Sequence, residues 1–145
     1  MKNIYKIVLI FAVFSSFNSI DEIKYSFYKR FIESFSVTFN KISGIQAEYL
    51  KIHFFDEGIS KGTKIYNLTT EELGLPSLKE LFKLFNKIDF PEETDWTDES
   101  LVDVPFWNLY VDEKRYYSNV GTEFLEEFDN IVNLNNIYEY CKKNY

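Results

Sequence analysis

One histidine and one cysteine limit the covalent and metal chemistry open to this 145-residue chain. Histidine is the commonest general base, and here it is His53 alone. Read as a strand, Tyr49 to Phe55 puts His53 on a face with Tyr49, Lys51 and Phe55, opposite Leu50, Ile52 and Phe54. That face is the solvated one, which makes His53 a surface residue rather than a base. The lone thiol, Cys141, has no sequence context that would place it against His53 as a nucleophilic pair. With one copy of each, the usual His/Cys zinc ligand sets do not form within a single chain. The five glycines, Gly44, Gly58, Gly62, Gly74 and Gly121, make no phosphate-cradling fingerprint. No catalytic residue and no cofactor site is therefore assigned.

Carboxylates are the abundant reactive type, at 23 Asp and Glu against 16 Lys and Arg, a net charge of −7. Abundance makes any single acid–base pair uninformative, but their distribution is not uniform. Residues 1–87 hold 12 basic and 9 acidic side chains, whereas 88–145 hold 4 and 14. Between 88 and 113 lie Asp89, Glu92, Glu93, Asp95, Asp98, Glu99, Asp103, Asp112 and Glu113, without one Lys or Arg. A solvated loop is the plain account of such a run. A surface that steers a basic partner is the functional one. Asp95, Asp98 and Glu99 would be the natural oxygen ligands if calcium bound here, although the EF-hand spacing is missing. Nucleic acid is disfavoured as a partner because phosphate contact needs a basic face.

Trp96 sits inside this acidic run, and Tyr110, Tyr116 and Tyr117 follow on the next two apolar segments. Rigid aromatic rings with a polar edge make good protein or carbohydrate contacts. Glu92, Glu93, Asp95, Trp96, Asp98, Glu99, Tyr110 and Tyr116 form the candidate binding set. In the competing reading Trp107 and Tyr117 are core, and Tyr110 and Tyr116 face a helix or the solvent singly.

The elements that would position these residues are legible from periodicity. Ile20, Ile23, Phe27, Phe31 and Ile32 fit one helix face, with Ser19 as cap, and a strand over Tyr25 to Ile32 competes. Phe35, Val37 and Phe39 alternate as a strand. Ser43-Gly44 turns the chain, Tyr49 to Phe55 returns, and Lys64 to Leu68 is a third strand. Leu78, Leu81, Phe82, Phe85 and Ile88 recur at helical spacing behind a Ser77/Glu80 capping box. A long loop from Asp89 to Pro105 leads to strands over Phe106–Val111 and Arg115–Val120. A helix then starts at Gly121-Thr122, breaks at Asn135-Asn136, and is followed by a short terminal helix over Ile137–Lys143. This order implies an α+β fold: an antiparallel sheet of about five strands with two or three helices on one face, a two-layer sandwich.

The first residues carry an address. Lys2 and Lys6 precede an apolar run from Ile7 to Phe14, which gives way to Ser15, Ser16, Asn18 and Ser19. That is the order of a bacterial secretory signal, with cleavage expected near 15–19. The run is too short for a spanning helix of roughly 20 residues, so no stable membrane anchor is expected. Residues 20–145 then form a single domain, and with one cysteine it holds together without an internal disulfide. The sequence implies an exported domain, periplasmic or extracellular, that binds a protein or a cell-surface polymer. An inhibitor or immunity-type protein neutralising a basic partner is the alternative. A small carboxylate-dependent hydrolase is the second.

Overall fold

A computed structural model describes residues 19–29, 32–52 and 60–145. Residues 1–18 of the expected secretory segment and His53 lie outside those residues. Six strands, β1 (Glu22–Lys29), β2 (Ile32–Asn40), β3 (Gly44–Ile52), β4 (Ser60–Leu68), β5 (Phe106–Val111) and β6 (Lys114–Ser118), form one sheet in the order β4-β3-β2-β1-β5-β6. Every neighbouring pair is antiparallel. Among the described residues three helices follow or interrupt the strands: α1 (Leu78–Phe85), α2 (Glu123–Val132) and α3 (Leu134–Lys143). The fold is α+β, with six strands rather than about five.

The sixth strand is β1, where the spacing favoured a helix over 20–32. Ile23 and Phe27 fit a helix face, but with Tyr25 they also satisfy a period of two. The sheet supplies what decides between them. Ile23 lies between Phe39 and Val111, Tyr25 between Val37 and Leu109, and Phe27 between Phe35 and Trp107. Both hydrogen-bonding sides of β1 are used, and its aromatic and branched side chains pack on neighbours that a helix could not reach.

β3 also differs from expectation. Tyr49 is buried with Ile45 and Ala47, and it opposes Phe35. It therefore belongs to the core face and not to the solvated one. The strand starts at Gly44 rather than Tyr49, so its parity is set by the Asn40–Gly44 turn. In that turn Asn40 Oδ1 accepts the amides of Ile42 and Ser43, and Gly44 takes φ +99°. A register shift between Leu50 and Ile52 then interrupts the alternation that the sequence reading carried on to Phe55.

One face of the sheet meets the helices. Phe39 packs edge-on to Phe85 of α1 and Phe128 of α2 at centroid distances of 5.7 and 6.0 Å. Phe35 and Tyr49 meet Tyr138 of α3 at 5.6 and 5.4 Å. Ser77 caps α1, its Oγ accepting the Glu80 amide at 3.3 Å, and the helix buries Leu81, Phe82 and Phe85. α2 buries Phe124, Phe128 and Val132, while α3 buries Ile137 and Cys141. The break between them falls at Asn133, with φ +52°, and not at Asn135-Asn136. Asparagine tolerates that left-handed conformation, and its Oδ1 accepts the Asn136 amide, which puts Asn135 and Asn136 in the first turn of α3. Among the described residues no helix is long and apolar enough to cross a membrane.

Candidate functional site

The acidic run is not a free loop. Residues 91–98 lie along β6, the edge strand, as a hydrogen-bonded strap. Tyr116 Oη donates to the Pro91 carbonyl at 2.9 Å, and Lys114 Nζ reaches the same oxygen at 3.1 Å. The Tyr117 amide donates to Thr94 O, and the Trp96 amide donates back to Tyr117 O, at 2.9 and 3.2 Å. Ser118 Oγ donates to Trp96 O at 2.8 Å. Asn119 completes the row twice: its Oδ1 accepts the Asp98 amide at 2.8 Å and its Nδ2 donates to Asp98 O at 2.9 Å. An exposed strand edge offers unpaired backbone groups, and the strap satisfies part of this one.

Trp96 anchors the strap from beneath. Its half-buried ring stands 5.2 Å from Phe124 and 6.1 Å from Tyr116. Tyr116 is corrected outright as a contact residue, being 1 % exposed, with its ring in the core beside Phe124. Tyr116 and Tyr117 alternate, so fixing one inside puts the other on the opposite face. Tyr117, the core residue of the competing reading, is the half-exposed one. Tyr110 is half-buried on that same open face, between Lys24 and Arg115.

Glu92, Glu93, Asp95, Asp98 and Glu99 are all exposed. Asp95 and Asp98 also shape the backbone. Asp95 Oδ1 accepts the Thr97 amide at 2.8 Å, and Asp98 Oδ1 accepts the amide and hydroxyl of Ser100 at 3.0 and 2.6 Å. Bonds from Thr97 and from Ser100 hold the two carboxyls below the usual carboxylate range. Asp95 also bonds the Tyr117 hydroxyl, which raises that phenol above its ordinary value. Asp112 is spent similarly, its Oδ1 accepting the amides of Asp21 and Glu22 at 3.0 Å each. Among the described residues, no lysine or arginine forms an ion pair with a carboxylate of the strap. The strap is therefore a fixed run of negative charge whose carboxylates are not ion-paired, with Lys114 bonded to its backbone at Pro91.

Asp95, Asp98 and Glu99 do not converge as calcium ligands. Among the described residues no three His, Cys, Asp or Glu side chains are placed to hold a metal ion. The physical reason is the strap's extended course, along which Asp95 and Asp98 each turn back onto their own following backbone.

Two concavities adjoin the strap. A cavity of about 220 Å³ lies where residues 97–104 arch over the ends of β5 and β6, walled by Leu101, Val104, Phe106 and Tyr117 with Thr97, Asp103 and Asn119 among the polar groups. A second, of about 440 Å³, is lined by Trp96, Asp89, Glu93, Glu123 and Glu127 at the start of α2. The open sheet face continues from the first cavity. Phe106 stacks on Tyr28 at 4.7 Å with 4° between ring planes, and the Arg115 guanidinium lies 4.9 Å over the Tyr117 ring while Nε donates to Asn108 Oδ1.

The acidic side chains are legible in the sequence, whereas the residues that build the cavity and pin the strap are not. Leu101 and Val102, 42 % and 78 % exposed, were a signal: apolar residues set among carboxylates in a segment with no strand or helix period. Asn119 carried no signal, because its partner is 21 positions away. Compared with protein-family models, curated proteins and solved structures, the chain gives no match.

Proposed function

We propose that this chain is an exported binding domain whose contact surface is the acidic strap and the aromatic end of the open sheet face. The observation that carries the reading is the set of exposed strap carboxylates without an ion-pair partner among the described residues, held in place by Tyr116, Tyr117, Ser118 and Asn119. Leaving like charges together costs folding stability, and that cost is offset when a cationic surface docks. The partner is a basic protein or a cationic surface polymer, bound without chemistry. An inhibitor or immunity-type role, in which the domain covers a basic partner's working surface, is the form of this reading that the charge pattern favours. The basic-then-apolar order of residues 2–14 supports export.

The test is retention of surface-fraction proteins and wall polymers on the immobilised domain, comparing wild type with Glu92→Gln/Glu93→Gln/Glu99→Gln. These three side chains are exposed and make no hydrogen bond that shapes the strap, so the variant keeps the fold. The expected result is a partner whose affinity falls at least tenfold in the variant and weakens steeply between 0.05 and 0.5 M salt, since the screening length shortens to a few ångströms (about 3 Å at 1 M). Equal affinity for both proteins, independent of salt, would reject the reading. Cell fractionation with amino-terminal sequencing checks the address: exported protein should lack Met1 to about Ser15, and an intact Met1 on cytosolic protein would refute it.

A further inference from the structure

We infer that the cavity between the strap and the ends of β5 and β6 receives one aromatic ring of a protein partner, with a neighbouring lysine or arginine taken by the strap carboxylates. This rests on the reading of the strap as a surface for a basic partner, and it names the element recognised.

Size favours a ring. An apolar cavity of roughly 150 Å³ accommodates one benzene, and this one has about 220 Å³. Whole small-molecule ligands occupy sites of about 300–1,000 Å³, so a single side chain is the better fit. The walls suit it too. Leu101 and Val104 supply aliphatic surface, while Phe106 and Tyr117 offer ring contacts. Leu101 and the adjacent Val102 remain exposed, 42 % and 78 %, and a docked chain would cover them.

Charge decides what flanks the ring. Asp103 lines the cavity itself, and Asp95 and Asp98 of the strap and Glu99 just after it stand exposed. Among the described residues the nearby cations are already engaged: Arg115 is stacked on Tyr117 and bonded to Asn108, and Lys114 bonds the Pro91 carbonyl at the other end of the strap. Asp103 in the lining, with the exposed Asp95, Asp98 and Glu99 close to it in the chain, leaves a negative rim around an apolar hole. An acidic or uncharged aromatic peptide would lose the rim's attraction, and a basic peptide without a ring would leave the hole unfilled. The complementary occupant is a segment of the type basic–aromatic–basic.

The test uses acetyl-Lys-Phe-Lys-amide, acetyl-Lys-Ala-Lys-amide and acetyl-Glu-Phe-Glu-amide, titrated into the ¹⁵N-labelled domain and followed by amide shifts. The expected result is saturable movement at residues 101–106 and 117–119 with Lys-Phe-Lys, and affinity roughly tenfold above each of the other two. Thr97→Phe, which adds a ring from the exposed strap into the cavity, should bring Lys-Phe-Lys down to the affinity of Lys-Ala-Lys. Equal binding of the two lysine peptides, or unchanged Lys-Phe-Lys binding in Thr97→Phe, overturns the cavity assignment while leaving the charge reading intact. Absence of salt-sensitive binding by either lysine peptide overturns both. Glu99→Gln/Asp103→Asn separates the contributions: asparagine tolerates φ +55° at position 103, so the variant removes charge and keeps the backbone.

Discussion

Asn119→Ala should release the carboxyl half of the strap without unfolding the domain. The Asn119 amide makes two hydrogen bonds to the backbone of Asp98, at 2.8 and 2.9 Å. A hydrogen bond contributes about 0.5–1.5 kcal/mol net. Asn119 is only half-buried and water can replace part of the loss, so the lower part of the two-bond range applies, about 1–1.5 kcal/mol. Each 1.4 kcal/mol is roughly tenfold in an equilibrium. Amide hydrogen exchange at Asp98 and Leu101 should accelerate by about tenfold. These are the amides bonded to Asn119 Oδ1 and to Asp98 O. Exchange at Trp96 and Tyr117 should stay close to wild type, because their amides are bonded to Tyr117 O and Thr94 O and not to the Asn119 side chain. The strap would then hinge beyond Trp96 and the cavity under Leu101 would lose a wall. Unchanged exchange at Asp98 would refute the claim that Asn119 pins the strap. Acceleration spread evenly over the sheet would refute the claim that this release is local.

Phe128→Ala removes a fully buried ring that meets both Phe39 and Phe85, and it should cost about 3–5 kcal/mol in urea denaturation; a loss below about 1 kcal/mol would contradict the packing of α2 on the sheet. Burial pushes the Cys141 thiol up to about 11, so native protein at pH 8 should resist thiol reagents that label it fully in urea. Because the folded value lies above the unfolded one, that stabilising contribution is whole below pH 9.0 and is lost as pH rises towards 11; Tyr25 and Tyr49, raised by burial, add to the alkaline loss, and Cys141→Ala should flatten the slope between 9 and 11. The carboxyls of Asp95 and Asp98 should titrate with midpoints below 3.8 by NMR, so their share of strap stability is present above 3.8 and lost only as pH falls through the lower folded values; midpoints at or above 3.8 would exclude the turns drawn here.

Local signals in the sequence determined much of the scaffold. Ser77 and the 78–88 spacing specify α1 because a cap and a helix face act within a few residues. The alternation of Phe35, Val37 and Phe39 and the Ser43-Gly44 turn specify the β2–β3 hairpin for the same reason. The acidity of 88–113 is composition and needs no fold to be seen. What the tertiary structure decided are the choices that depend on distant neighbours. β1 is a strand because β2 and β5 present ladders on both its sides, and β5 lies some eighty residues on. Tyr49 faces inward because the turn at Gly44 sets its parity and a ring from α3 meets it. Tyr116 is core and Tyr117 is open because α2 supplies Phe124 on one side only. The same holds for the candidate site. Its charges are written in the sequence, but whether they form a loose loop or a rigid rim depends on Ser118 and Asn119, whose hydrogen bonds exist only once β6 lies beside the strap.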